Sequence, residues 1–271
     1  MWVTGRKDGH LTKHHVNVDT SETITHVSLC AGYGGIDLGL NRAIPNLRTV
    51  AFSEIEAFAC ANLVSKMEAG LLDAAPIWSD LKTFPWAEFR DRVDILSGGY
   101  PCQPFSSAGK RLGAEDPRHL WPYIANGIAI MRPRICFFEN VEGHVTLGLS
   151  TVISDLEELG YRTTWGIFSA AEVGLPHSRR RVFILANSKS FGIQGLWPNW
   201  VKEPSAHGHE GEGLSMRGIK NTQSNECATI PCVCRDPYGD SSWVDRMRLL
   251  GNGVVPATAA KAFQTLIQEI L

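Results

Sequence analysis

The sequence predicts an α/β protein, built on a doubly wound, mostly parallel sheet with a small irregular second domain. Between residues 23 and 187, short apolar runs alternate with segments of helical periodicity, which is typical of a parallel sheet with crossover helices. A glycine-rich turn at 31–35 joins the first apolar run to a helical segment. From 188 to 242 the alternation stops, and that stretch contains seven glycines and little periodicity.

Each element of the sheet is predicted from its own pattern. Apolar runs bounded by turn residues predict strands, and apolar residues at helical spacing predict helices. The predicted strands are 26–30, 48–53, a run from Val93, a run from Ile135, 161–168 and 181–186. The predicted helices run from the glycine turn through Leu40, and then over 57–67, 121–131, 149–159 and 257–271. The last helix is expected to return to the main domain.

Composition excludes several classes of protein. A chain of 271 residues can bury a full core, and no run reaches the roughly 18 apolar residues that a membrane helix needs. The first twenty residues are polar rather than signal-like, so a cytoplasmic location is expected. Seven cysteines, several of them in apolar segments, argue against a disulfide framework. The net charge of -2 means that any surface for nucleic acid must be local.

Further motifs place reactive side chains beside the predicted strand ends. Cys102 stands between two prolines after a strand and a pair of glycines, where its thiol suits a ligand crevice better than a core. Glu139 and Asn140 end the next strand, and three arginines at 179–181 lead into the last one. A Leu-Gly-Asn-Gly-Val-Val-Pro segment covers 250–256.

In this order, the glycine turn, the cysteine, the glutamate, the arginines and the closing segment resemble the motifs of the DNA cytosine carbon-5 methyltransferase family, of the prokaryotic or phage type. The resemblance covers about 26–187 and 243–271. It implies a Rossmann-like, S-adenosylmethionine-dependent fold that methylates carbon 5 of cytosine in duplex DNA at a short sequence. It divides the chain into an N-terminal extension at 1–22, a catalytic domain at 23–187 plus 243–271, and a short target-recognition region at 188–242.

The resemblance implies five catalytic-site residues. Carbon 5 of cytosine is a poor nucleophile until a thiolate adds to carbon 6, and Cys102 is the candidate for that covalent step. Glu139 would hold a proton at ring nitrogen 3, and Arg181 would donate to the base carbonyl oxygen. Asn140 and Arg179 would fix the surrounding loops. The structural alternatives are a small buried hydrophobe for Cys102 and a strand-end ion pair for Glu139.

The resemblance also implies S-adenosylmethionine as the cofactor. Glu54 would accept hydrogen bonds from the ribose hydroxyls, and Asp80 would accept one from the adenine amino group. The expected cofactor residues are Cys30, Gly32, Tyr33, Gly34, Gly35, Glu54, Asp80, Leu81, Asn252 and Val254. The structural alternative for Glu54 is an acid at a helix amino terminus. The chain departs from the family at two positions, with Cys30 where an aromatic is usual and Ser28 where an acid is usual.

Double-stranded DNA is the expected partner, and a monomer suffices for the reaction. A stacked base cannot react, so the target base must flip into the pocket. Ser106, Lys110 and Arg118, in a segment with the composition of a lid, are the expected contacts to nucleic acid. A cognate restriction endonuclease is a possible further partner, and the expected location is the cytoplasm of a prokaryotic or phage-infected cell, at the nucleoid. No metal site is predicted, because the cysteines at 227–234 lack a paired Cys-x-x-Cys spacing.

Two alternative functions fit the same sequence. The 188–242 region is short and has no basic patch, which keeps open an RNA cytosine-5 methyltransferase acting on transfer RNA, as in a related subfamily. A catalytically silent module that binds DNA or a partner protein is the other hypothesis. The presence of Cys102, Glu139 and Arg181 together argues against a silent module.

Overall fold

A seven-stranded sheet forms the centre of the protein in the computed structural model, which describes residues 3–7, 10–14, 23–101, 120–190 and 251–270. The described strands, in chain order, are β1 (Val3–Lys7), β2 (His10–His14), β3 (Ile24–Leu29), β4 (Leu47–Ser53), β5 (Ile77–Trp78), β6 (Ile95–Gly98), β7 (Ile135–Val141), β8 (Tyr161–Ser169) and β9 (Arg180–Ser188). β1 and β2 form a separate antiparallel hairpin. The other strands make up the central sheet.

Helices connect the strands of the central sheet. The described α-helices are α1 (Gly35–Ala43), α2 (Ala57–Glu68), α3 (Trp121–Met131), α4 (His144–Leu147), α5 (Leu149–Glu158) and α6 (Pro256–Ile270). Short 3-10 helices cover Leu81–Thr83, Trp86–Phe89 and Ala171–Val173. In the part of the chain that the structure describes, no helix is both long and apolar enough to cross a membrane.

The strand order of the central sheet is β5-β4-β3-β6-β7-β9-β8. The first five strands in this order are parallel to one another, and β9 is antiparallel to both of its neighbours, β7 and β8. The predicted fold class, a mostly parallel and doubly wound sheet, is therefore confirmed. The sequence did not predict the hairpin at β1 and β2, the two-residue strand β5 or the single-turn helix α4.

Apolar cores lie on both faces of the sheet. Successive residues of a strand point to opposite faces, so Phe138 packs in the core that includes α3 and α5, while Phe137 packs in the core that includes α1 and α6. Phe263 of α6 is fully buried and contacts Phe137 edge to face, with 5.3 Å between ring centroids. The last helix thus returns to the main domain, as predicted, and its packing fixes the position of residues 251–255 that precede it.

We expect Phe263→Ala to lower the free energy of unfolding by about 3 to 5 kcal/mol, because a fully buried ring leaves a cavity between α6 and the sheet. Lys261→Ala on the same helix is the control. It removes only a surface ion pair with Glu172 (Nζ to Oε2, 3.0 Å), which contributes about 1 kcal/mol or less. Denaturant unfolding of both variants measures the difference. Equal effects of the two substitutions would contradict the packing of α6 described above.

Candidate active site

A cavity of about 810 Å³ opens at the carboxyl ends of β3, β4, β6 and β7. Open parallel sheets bind ligands at this edge, because the loops that follow neighbouring strands meet there. The cavity brings together most of the residues predicted from sequence. Its lining includes Cys30, Gly32, Tyr33, Gly35, Glu54, Asp80, Leu81, Glu139, Asn140, Arg181, Asn252 and Val254. Gly34 and Arg179 are not among the lining residues.

The Glu139 carboxylate is the buried acid of this cavity. It lies near the end of β7, only 5% exposed, and Arg181 Nε is 2.9 Å from its Oε1. In the antiparallel register, Glu139 stands opposite Phe183 and Val141 opposite Arg181, so the acid and the arginine share one face of the sheet. The ion pair that sequence reasoning gave as an alternative for Glu139 is therefore present, and it lies inside the cavity. Arg180, which lies between the other two arginines, is exposed and pairs with Glu142.

Burial sets the protonation of Glu139. Desolvation raises the pKa of its carboxyl to about 7, while Arg181 and Arg179 act in the opposite direction. The acid form of this side chain therefore persists near neutral pH. A carboxyl with this property can give a proton to a bound ligand or share one with it.

Asn140 connects the end of β7 to the segment that follows β6. Its Nδ2 donates to the main-chain oxygen of Tyr100 (3.1 Å), and its Oδ1 accepts from Val141 N. Tyr100 is itself buried and hydrogen-bonds through its hydroxyl to His144 Nε2 (3.0 Å). These bonds fix the backbone directly before Pro101, which lines the cavity. Sequence reasoning missed Tyr100 and His144, although an aromatic beside the Pro-Cys-Gln-Pro segment was a visible signal.

Glu54 accepts two main-chain hydrogen bonds at the end of β4. Gly32 N donates to its Oε2 (2.7 Å), and Glu56 N donates to its Oε1 (2.9 Å). Glu56 is the residue before α2, so the structural alternative for Glu54, an acid at a helix amino terminus, is part of its role. Each carboxylate oxygen can accept a further hydrogen bond, and Glu54 lines the cavity.

The glycine turn and the residue before it include three residues in the left-handed region. Cys30 has φ +47°, Gly32 has φ +56°, and Gly34, the residue before α1, has φ +81°. Burial and the nearby Glu54 charge raise the pKa of the Cys30 thiol to about 12. Cys30 therefore stays a neutral thiol, and it acts as part of the cavity wall rather than as a nucleophile.

Asp80 and Ile55 contribute the remaining side of the cavity. The Asp80 carboxylate caps the 3-10 helix that begins at Leu81, accepting from Lys82 N (3.0 Å). Ile55 is 73% exposed, which is unusual for a large apolar side chain, and it lines the cavity. Sequence reasoning did not select Ile55, whose only signal is its place between two glutamates.

Two side chains hold the segment that precedes α6. Arg179 Nη2 donates to the main-chain oxygens of Gly251 (2.7 Å) and Gly253 (2.5 Å), and the Tyr33 hydroxyl donates to Val254 O. Arg179 thus contacts the loop before α6, and its role in the site stays a prediction.

A buried polar cluster lies beneath the glycine turn. Ser28 Oγ donates to Asp37 Oδ2 (3.0 Å), and His26 hydrogen-bonds to the hydroxyls of Thr49 (2.9 Å) and Ser97 (2.8 Å). Burial raises the pKa of Asp37 to about 7 and lowers that of His26 to about 3. An acid is therefore present beside Ser28, but it comes from α1 rather than from the strand. Sequence analysis noted the departure at Ser28 without finding Asp37.

Several predicted residues lie outside the described ranges. They are Cys102, Ser106, Lys110 and Arg118, together with residues 191–250, which hold most of the predicted target-recognition region. Among the residues that are described, no group of three or more His, Cys, Asp or Glu side chains is arranged to hold a metal ion.

Comparison with known proteins finds a family that covers most of the chain. The family model described as "C-5 cytosine-specific DNA methylase" matches residues 24–228. The type II methyltransferase M.PspPI of Psychrobacter sp. (strain TA137) is 34% identical over 178 residues, which cover 62% of this chain and 40% of that protein. The type II methyltransferase M.NgoMIV of Neisseria gonorrhoeae is 35% identical over 178 residues, covering 64% of this chain and 55% of that protein. The chain thus spans about half the length of the curated relatives that it matches.

The fold is also similar to solved structures. The Dnmt2 methyltransferase of S. pombe superimposes with a TM-score of 0.52 and 25% sequence identity, over 62% of this chain and 52% of that one. A Spodoptera frugiperda DNMT2 variant gives the same TM-score at 22% identity, over 61% of this chain and 50% of that one, a likeness that shows the fold alone.

We expect Asp37→Asn to make stability less dependent on pH. The folded protein raises the pKa of Asp37 from 3.8 to about 7. The wild-type protein therefore loses stability as the pH rises between these values, because the carboxyl ionises in the unfolded chain while the folded protein keeps it protonated. Its amide replacement cannot ionise. The stability of the variant relative to wild type should therefore increase by about 1 to 4 kcal/mol from pH 4 to pH 8.

Asp91→Asn is the matched control, because Asp91 is half exposed and its φ of +57° suits asparagine. Unfolding of both variants in denaturant at several pH values gives the comparison, and His26 and Glu139 are the same in both. A constant difference between Asp37→Asn and wild type across this range would show that Asp37 is already ionised in the fold.

Proposed function

The chain belongs to the C-5 cytosine-specific DNA methylase family, and from this premise we propose that it transfers a methyl group from S-adenosylmethionine to carbon 5 of cytosine in duplex DNA, at a short sequence. The observation that carries the proposal is the buried Glu139 carboxyl, paired with Arg181 and lining the same cavity as Pro101, the residue before Cys102. The relatives that share this family are named type II methyltransferases.

The residues of the cavity fit S-adenosylmethionine. The glycine turn leaves main-chain atoms accessible at the start of α1, and Glu54 keeps acceptor capacity for two hydroxyl groups. Asp80 offers a further acceptor, and the exposed side chain of Ile55 offers an apolar surface to an adenine ring. The remaining contacts would come from Cys30, Gly32, Tyr33, Gly34, Gly35, Leu81, Asn252 and Val254. When bound, the cofactor supplies an electrophilic methyl group.

Cys102 is the proposed nucleophile. Its thiolate would add to carbon 6 of cytosine and form a carbon–sulfur bond, which makes carbon 5 electron-rich enough to accept a methyl group. Asn140 supports this step at a distance, because it holds the main-chain oxygen of Tyr100, two residues before the cysteine. Departure of the carbon-5 proton then allows the sulfur to leave as thiolate and restores the aromatic ring.

Glu139 and Arg181 are the proposed partners of the base. Addition of the thiolate places negative charge on the ring, and the protonated Glu139 carboxyl can neutralise it at nitrogen 3. Arg181 contacts Glu139 and lines the cavity, so its remaining N–H groups can donate to the base carbonyl oxygen. Arg179 would act on the loop before α6 rather than on the base.

Duplex DNA is the proposed substrate, with the target base flipped into the cavity. Ser106, Lys110 and Arg118 remain the proposed contacts to the DNA, and 188–242 remains the proposed target-recognition region. A restriction endonuclease as cognate partner and a location at the nucleoid of a prokaryotic or phage-infected cell belong to the same proposal.

We expect the protein to incorporate a labelled methyl group from S-adenosylmethionine into 5-methyldeoxycytidine when it is given unmethylated genomic DNA. Nucleoside mass spectrometry identifies the product. Cys102→Ala should abolish incorporation, because no other group would break the aromaticity of the ring. Cys60→Ala, at a cysteine that does not line the cavity, should keep it.

Bulk transfer RNA serves as the second substrate in the same assay. Label only in 5-methylcytidine would move the substrate to RNA. No label in either nucleic acid, from folded protein that binds the cofactor, would favour the silent module.

The pH dependence of methyl transfer tests Glu139 directly. Because its pKa is raised to about 7, we expect the rate to decline above this pH as the carboxyl loses the proton that the base requires. Glu139→Gln should lower the rate about 100- to 10,000-fold and remove this decline. Glu142→Gln is the matched control, since the Glu142 side chain is 44% exposed and pairs with Arg180. A decline that persists in Glu139→Gln would assign the titration to another group.

A further inference from the structure

The segment 251–254 forms one wall of the cavity, although it is distant in sequence from the other walls. Asn252 and Val254 both line the cavity, together with residues of the glycine turn and of β7. Gly251 and Asn252 are helical and residues 253–255 are not, and main-chain oxygens that no helix or sheet pairs need partners from elsewhere. Here the oxygens of Gly251, Gly253 and Val254 accept hydrogen bonds from Arg179 and Tyr33.

Arg179 holds the first part of this segment. It lies directly before β9, and a single guanidinium nitrogen, Nη2, bonds to two main-chain oxygens at 2.7 and 2.5 Å. Charge-assisted hydrogen bonds of this kind are stronger than neutral ones. Arg181, on β9, pairs with Glu139. The start of β9 therefore contacts both this carboxylate and residues 251–254.

Tyr33 holds the last part of the segment. Its hydroxyl donates to Val254 O, across 221 positions of sequence. Burial raises the pKa of this hydroxyl, so it keeps its proton and remains a donor through the neutral range. The ring of Tyr33 lies in the cavity lining and 5.4 Å from Lys66 Nζ, which further limits its movement.

Close backbone contact supports the same arrangement. A Cβ atom built on Gly35 would lie 2.2 Å from Val254 O, so the first residue of α1 leaves room for the segment only because it is glycine. Gly35 has no positive φ, and the requirement there is for space alone. Hydrogen bonding and shape therefore both place Val254 against the glycine turn.

We propose that Tyr33 and Arg179 form a clasp that holds residues 251–254 against the glycine turn, and that Tyr33 is a positioning residue for binding of the methyl donor. This inference rests on the proposed function and deepens it. The donor would contact both the turn and the wall, so its binding would depend on the bond that joins them. The effect of Tyr33 is on the binding site, without participation in the chemistry of the base.

Tyr33→Phe removes the hydroxyl and keeps the ring, and it is the main test. Isothermal titration with S-adenosylhomocysteine, the demethylated donor, measures binding without turnover. We expect the dissociation constant to rise about 3- to 10-fold, the range that corresponds to one lost hydrogen bond. Tyr123→Phe is the matched control, because Tyr123 is half exposed and lies outside the cavity lining. Its dissociation constant should change less than about twofold.

Hydrogen exchange separates positioning from general stability. In the wild-type protein, S-adenosylhomocysteine should slow exchange of the amides at 251–255, and in Tyr33→Phe this protection should be lost while the amides of β3 and β7 stay protected. Gly35→Ala gives the second variant. Its added methyl group displaces Val254 O without removing any hydrogen-bonding side chain, and we expect the same loss of protection and of affinity.

The outcomes distinguish this inference from the proposed function. Failure of the folded wild-type protein to bind S-adenosylhomocysteine would overturn the proposed function together with the clasp. Normal affinity and normal protection in both Tyr33→Phe and Gly35→Ala would overturn the clasp alone.

Discussion

Burial of the Glu139 carboxyl against Arg181 is the constraint on which the rest of the candidate site depends. A carboxyl at the end of a buried strand must be protonated or paired, because an isolated charge in that environment is costly. The protein provides both conditions, with a pKa of about 7 and an arginine at 2.9 Å. Gly99 leaves the space for this pair, since a Cβ there would lie 3.1 Å from Glu139 Oε2. The acid is therefore available for chemistry, and the fold loses some stability as the pH rises from 4.5 to about 7.

The antiparallel strand β9 delivers the partner of this acid. A parallel strand would enter the sheet from its amino end and place its first residues at the opposite edge. Reversal of β9 instead brings residues 179–181 to the edge where β3, β4, β6 and β7 end. The start of β9 thereby brings Arg181 into contact with Glu139, and it brings Arg179 into contact with the segment before α6. The parallel strands thus end at the cavity, and the antiparallel strand adds Arg181 to its lining.

Much of the fold followed from sequence, because the strands are apolar and the helices are periodic. The predicted helix at 121–131 and strand at 48–53 match α3 and β4 to within one residue. Polar, weakly patterned elements were missed, such as the hairpin of β1 and β2. The direction of β9 was also beyond prediction. The residue pattern of a strand indicates which side chains face the core, but it does not indicate which neighbouring strand it pairs with. For the same reason, the sequence offered a strand-end ion pair for Glu139 as an alternative, while identification of Arg181 as its partner required the register.

Ser28 stands at a motif position where the family usually has an acid, but a carboxyl lies beside it in the fold. Matched position by position, the chain lacks the acid that its family usually has in the first strand. In space, Asp37 on α1 places a buried carboxyl within 3.0 Å of Ser28 Oγ, so the acid is supplied from the helix. Neighbouring His26 lies fully buried with its Nδ1 3.7 Å from Asp37 Oδ1, and burial keeps it neutral. The polar cluster thus has a carboxyl under the glycine turn, and the helix rather than the strand carries it.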